Sequence, residues 1–134
     1  MPERLVLSDD LCIQINEYSS QCLPEEACGL ISGIGEQALA FLPVANELHS
    51  PTAFRMDPQE QLYAFLWIES QSFEMTAVFH THPNGPEIPS VTDLADFFYP
   101  GTLSVIWTPV SLRAFKIHKS GFIEIPLEFG ETSN

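Results

Sequence analysis

Residues His80 to Asp93 read HTHPNGPEIPSVTD. Met75 to His82, which leads into this stretch, is apolar enough for a buried strand. On a strand, side chains alternate between faces, so His80 and His82 point the same way with their Cα atoms about 6.6 Å apart. Met75, Ala77 and Phe79 are expected on one face, and Thr76, Val78, His80 and His82 on the other. Pro83, Asn84, Gly85, Pro86 and Pro89 then make a turn-rich loop without helical or alternating pattern. It delivers Ser90 and Asp93 to the start of a helix predicted over Ser90 to Tyr99 and stopped by Pro100-Gly101. Two neutral imidazoles and one carboxylate make a three-ligand zinc set with a fourth position open, as catalytic sites have. Each piece also has an ordinary explanation. Two histidines on a strand are often simply satisfied by hydrogen bonds, and Ser90-Val91-Thr92-Asp93 is a good capping box.

Upstream, Ser8 is a candidate N-cap with Asp9 and Asp10 in the first turn. Leu11, Ile15, Tyr18 and Cys22 then fall on one helical face, with Pro24 just beyond. Arg4 to Leu7 precedes this helix as a short strand. Cys28 to Ser32, bounded by Gly33 and Gly35, reads as a buried strand, and Gln37 to Val44 as another. Glu25 and Glu26 lie immediately before the first of these. Solvated loop carboxylates are the usual outcome for such a pair. Glu26, abutting a buried strand, would have to find a partner or carry a raised pKa. It is the candidate base. His49, in the loop from Ala45 to Thr52, reads as a surface residue.

Phe54 to Met56 is a short extended piece. Asp57-Pro58-Gln59-Glu60 starts a second helix, with Asp as cap, Pro at the first position and Glu three after the cap. Leu62, Phe65 and Leu66 continue it. Leu103 to Thr108, Arg113 to His118 and Phe122 to Leu127 read as closing strands, with a turn at Lys119-Ser120-Gly121 and a frayed tail after Phe129. His118 looks like a strand-edge residue. The fold class is therefore α/β, one domain over residues 1–134, with a central mixed sheet flanked by helices.

Composition narrows the function. With 5 basic and 18 acidic residues in 134, the net charge is −13. That disfavours nucleic acid, whose phosphates want clustered Lys and Arg, and equally an anionic membrane surface. No apolar run approaches the ~18 residues of a spanning helix, and no signal peptide is evident. Cys12, Cys22 and Cys28 read as reduced thiols and small hydrophobes of a cytoplasmic protein. A PCxxC segment of the zinc deaminases and a helical HExxH motif are both absent.

Taken together, Glu26 in EEACG, His80, His82 and Pro83, the six residues Asn84 to Pro89, then Ser90 and Asp93 resemble the JAMM (MPN-plus) metalloprotease signature in full. The resemblance covers nearly the whole chain and is closest to the compact prokaryotic members. It implies a JAMM/MPN domain with cytidine-deaminase-like layering, and one zinc ion per chain on His80, His82 and Asp93. Glu26 would take the proton of the attacking water, and Ser90 would hold the developing oxyanion. It further implies peptide or isopeptide cleavage at the C-terminal Gly-Gly tail of a small ubiquitin-like or sulfur-carrier protein, releasing cysteine or a C-terminal extension. Such a tail could pair as an added strand along Phe54 to Met56. A metal-free MPN-type interaction module and a zinc amidase acting on a small metabolite remain alternatives. The oligomeric state stays open.

Overall fold

The structure is a computed structural model that describes residues 3–97, 99, 101–118 and 120–130. Eight strands form one mixed sheet: β1 (Leu5–Leu7), β2 (Cys28–Ile34), β3 (Gln37–Val44), β4 (Glu74–Thr81), β5 (Leu103–Thr108), β6 (Ser111–His118), β7 (Gly121–Ile125) and β8 (Leu127–Phe129). Their order is β7-β6-β5-β4-β2-β3-β1-β8. The β4–β5, β1–β3 and β1–β8 pairs are parallel and the other pairs antiparallel. Helices α1 (Asp9–Cys22), α2 (Pro58–Ser70) and the short α3 (Val91–Ala95) complete the described elements. None of these helices is long and apolar enough to cross a membrane.

The sheet separates two apolar clusters. On one side Leu11 and Ile15 of α1 pack with Leu5, Leu7, Ile31, Phe41, Ala77, Phe79, Val105 and Ile125. On the other side Ala64 and Ile68 of α2 pack with Cys28, Leu30, Val44, Met56 and Val78. Only Pro126 separates β7 from β8, although these strands lie at opposite ends of the sheet. One residue spans at most ~3.6 Å, so the two edges must approach each other. The sheet is therefore strongly curled, with α1 on the face that gathers residues from both edges. This corrects the expectation of one strand over Phe122 to Leu127. Pro126 has no N–H to continue a ladder, and Leu127 pairs instead with Leu5.

Local signals placed both long helices. Ser8 caps α1 by accepting from the Leu11 N–H, and Asp57 caps α2 by accepting from the Gln59 and Glu60 N–H groups. The Glu60 carboxylate accepts from Ala45 N–H at 2.9 Å, which ties α2 to the loop before it. Leu62 and Leu66, which continue α2 as expected, are more than half exposed.

In β4 the register with β2 jumps from Ile31↔Ala77 to Ser32↔Met75, so Thr76 is an extra residue. Such a bulge reverses the alternation beyond it. Met75 consequently packs on the α2 side with Val78, not with Ala77 and Phe79. The third helix ends at Ala95, short of Tyr99. The expected stop at Pro100, Lys119 of the β6–β7 turn and the tail from residue 131 lie outside the described residues.

Candidate metal centre

His80 lies on β4, and His82 extends that strand by donating its N–H to Trp107 O at 2.9 Å. Both side chains are buried. Their Nε2 atoms face each other at 3.1 Å, and Asp93 Oδ2 lies 3.2 Å from His80 Nε2 and 3.0 Å from His82 Nε2. The first turn of α3 delivers that carboxylate. Ser90 Oγ accepts from the Asp93 N–H at 3.0 Å, and Asp93 Oδ2 accepts from the Ser90 N–H at 2.8 Å. The capping box and the convergence on the histidines are thus present together. The cap orients the carboxylate, and the same oxygen faces both rings.

The donor set fits a cation. His82 Nδ1 is 2.8 Å from Pro86 O, an acceptor, so Nδ1 carries the hydrogen. A neutral His82 therefore presents its Nε2 lone pair to Asp93 and to His80. Three lone-pair atoms spaced 3.0–3.2 Å apart repel one another unless a proton or a metal ion lies among them. Tetrahedral zinc, with bonds of about 2.0–2.1 Å, requires donor–donor edges of about 3.3 Å. The triangle is close to that size, so these residues can hold a metal ion.

The charges of the site follow from the same contacts. Burial pushes the Asp93 carboxyl up, but hydrogen bonds from His80, from His82 when its ring is protonated, and from Ser90 N–H outweigh it and hold Asp93 well below the usual carboxylate range. Burial drives His80 down despite the pull of Asp93. At His82 burial again acts downward, and the bonds to Asp93 and Pro86 O overcome it, so this ring is pushed up. Glu26 is pushed up to about 7, chiefly by burial, with Asp93 adding to the rise and His82 opposing it.

Glu26 and Ser90 line the same cleft as the three donors, a cavity of about 740 Å³ walled by α2 and by the loop between β3 and α2. All five sequence-selected positions therefore come together. Glu25 does not join them: it is half-buried and pairs with His49, itself on the surface. His118 is exposed at the end of β6. Two residues, Asn46 and Thr81, escaped the sequence reading, and Phe54 was expected only as part of a strand edge. Phe54 stacks on the His80 ring at 4.7 Å and 21°. Asn46 and Thr81, both buried, bond to the backbone around Glu26. Thr81 was visible only as a polar residue sharing a face with Ala77 and Phe79. Asn46 carried no local signal.

The architecture and site define a class: a curled α/β domain bearing a His-His-Asp group that can hold a metal ion, with a buried glutamate lining the same cleft. A family model described as prokaryotic homologs of the JAB domain matches residues 9–118, and the chain belongs to that family. A desampylase of Pyrococcus furiosus is 39% identical over 69 residues, 52% of this chain and 49% of that one. A CysO-cysteine peptidase of Mycobacterium tuberculosis is 29% identical over 92 residues, 67% of this chain and 63% of that one. The matched part of the chain thus spans about half of the first relative's length and under two thirds of the second's. A solution structure of a protein from Desulfitobacterium hafniense superposes with a TM-score of 0.86 at 30% identity, covering 96% of this chain and 94% of that one.

Proposed function

We propose that this protein is a zinc-dependent peptidase or isopeptidase that hydrolyses an amide bond at the C-terminal Gly-Gly tail of a small ubiquitin-like or sulfur-carrier protein. The observation that carries this reading is the sharing of one cleft by the donor triangle, the buried Glu26 and Ser90. The names of the relatives, a desampylase and a CysO-cysteine peptidase, support the substrate class. Zinc is favoured over harder cations by two imidazoles in a set of three.

His80, His82 and Asp93 would hold the ion, and zinc so bound supplies a Lewis acid that polarises a carbonyl and acidifies water. Glu26 does the proton work. Its carboxyl, raised to about 7, is poised near neutrality to take a proton from the attacking water and give it to the leaving amine. Ser90 Oγ uses a lone pair on the Asp93 N–H, which leaves its O–H free to donate. It stabilises the carbonyl oxygen as that atom gains negative charge. Pro86 O fixes the tautomer of His82, and Phe54 orients the ring of His80.

The substrate tail runs along the loop between β3 and α2. Within the expected Phe54 to Met56 edge, Arg55 is already committed, its N–H to Asn46 Oδ1 and its C=O to Glu47 N–H. Among the described residues no hydrogen bond is made by the Phe54 backbone, so Phe54 is the position that can pair with an extended tail. The three free thiols suit a reducing cytoplasm.

The test is to incubate zinc-loaded protein with a sulfur-carrier protein bearing a short extension after its Gly-Gly, and to weigh the products. Cleavage after Gly-Gly that vanishes in Glu26→Gln supports the reading. Cleavage at wild-type rate in Glu26→Gln overturns the assignment of the base.

A further inference from the structure

Glu26 is not part of a regular strand, because β2 begins two residues later at Cys28. Its backbone is nonetheless fully engaged. Glu26 N–H donates to Ser50 O at 2.8 Å, and Glu26 C=O accepts from Asn46 Nδ2 at 3.0 Å. Thr81 holds the other end of that same peptide and the carbonyl that follows it: its Oγ1 accepts from Ala27 N–H at 2.8 Å, and its N–H donates to Ala27 O at 3.0 Å. A hydrogen-bonded antiparallel pair normally exchanges two backbone bonds. Here the side chain of Thr81 takes the place of its own carbonyl. The chain can then leave β4 and turn Glu26 towards the cleft.

Asn46 works from the other side. Its Nδ2 donates to both Glu26 O and Ala53 O, and its Oδ1 accepts from Leu48 N–H and Arg55 N–H. Two donors and two acceptor sites are all that an amide offers. Every one is used, and every partner belongs to Glu26 or to the cleft-lining loop. We infer that Thr81 and Asn46 are positioning residues that clamp, from its two sides, the peptide group joining Glu26 to Ala27, setting the carboxylate against the substrate. The inference rests on the reading of Glu26 as the base. It requires neither residue to touch substrate or metal.

The test compares Thr81→Val, which keeps the branched shape and loses the acceptor, with Thr81→Ser, which keeps the acceptor. Each is made in the wild-type and Glu26→Gln backgrounds. Readouts are zinc content, kcat and KM on the extended carrier protein, and amide hydrogen exchange. In Thr81→Val the Ala27 amide should exchange at least about tenfold faster, while Leu30 and Ile31 keep their protection. Its kcat should fall about ten- to a hundredfold with KM and zinc content preserved, as expected when a reacting group is displaced by a fraction of an ångström. Thr81→Ser should restore both protection and kcat. In the Glu26→Gln background, Thr81→Val should lower the residual rate no further.

Wild-type kcat in Thr81→Val, failure of Thr81→Ser to restore it, or an equal loss in the Glu26→Gln background each overturns the clamp. Should Thr81→Val not fold, Asn46→Asp carries the test. It keeps acceptors for Leu48 and Arg55 and loses the donor to Glu26, so kcat should fall with those two amides still protected, and wild-type kcat refutes the inference. If Glu26→Gln alone leaves hydrolysis intact, the base assignment falls, and the Ala27 exchange rate then decides the clamp by itself.

Discussion

Burial of Glu26 makes stability and pH interdependent in a way that one substitution exposes. The carboxyl ordinarily titrates at 4.5 and is raised to about 7 in the fold, mainly because burial penalises the charged form. The folded chain therefore binds this proton more tightly than the unfolded chain. The contribution is most favourable to folding below pH 4.5 and is lost as pH rises through about 7. A rise of this size corresponds to about 3 kcal/mol between the two ends of that window. Glu26→Gln removes the titration and should flatten this part of the pH profile. Measured as urea denaturation of chelator-treated protein, the variant should gain about 3 kcal/mol on wild type between pH 4.5 and pH 8. At a few °C per kcal/mol, that is a relative gain of about 10 °C in melting temperature. Comparing the two pH values cancels any constant effect of the new amide. An equal stability difference at both pH values would refute the claim that Glu26 is held in a desolvated site.

Other substitutions test neighbouring parts of the account. Ser90→Ala removes the cap of α3 and the proposed oxyanion donor. It should destabilise the fold by about 1 kcal/mol in denaturation and lower kcat about 10²- to 10³-fold in the carrier assay. Gly33→Ala drives a Cβ into the Gln37 carbonyl oxygen in the β2–β3 pair. Its urea midpoint should drop well below wild type, and an unchanged midpoint would contradict the described register. Phe54→Ala removes the ring stacked on His80. It should raise KM for the extended carrier and weaken zinc retention against a chelator.

How far the sequence disclosed this molecule depended on how local each feature is. The caps at Ser8 and Asp57 bond within three residues, so their residue types alone marked the helix starts. Likewise the spacing from His80 to Asp93 is short enough for one strand, one loop and one helical turn to bring the donors together. Glu26 was legible because a carboxylate abutting a buried strand calls for explanation. The curl of the sheet was not legible, since it depends on Leu127 meeting Leu5 from the far end of the chain. Nor was the reversal at Met75, which follows from one extra residue in a ladder whose register is set by β2. The outward turn of Leu62 and Leu66 had no local signature either, because it depends on which side of α2 meets the sheet. Thr81 reaches 54 residues back to Ala27, and Asn46 reaches 20 residues back to Glu26. No window of sequence contains either pair as a pattern.

If His80, His82 and Asp93 form one zinc site, the metal content of the purified protein must show it. Tag-free wild-type protein and Asp93→Ala should be reconstituted with zinc, desalted and analysed for bound metal. The wild type should hold about one zinc per chain, as in catalytic sites with three protein ligands, and the variant should lose it. No bound zinc in either protein would contradict such a site, and an interaction module without metal would then be the better reading.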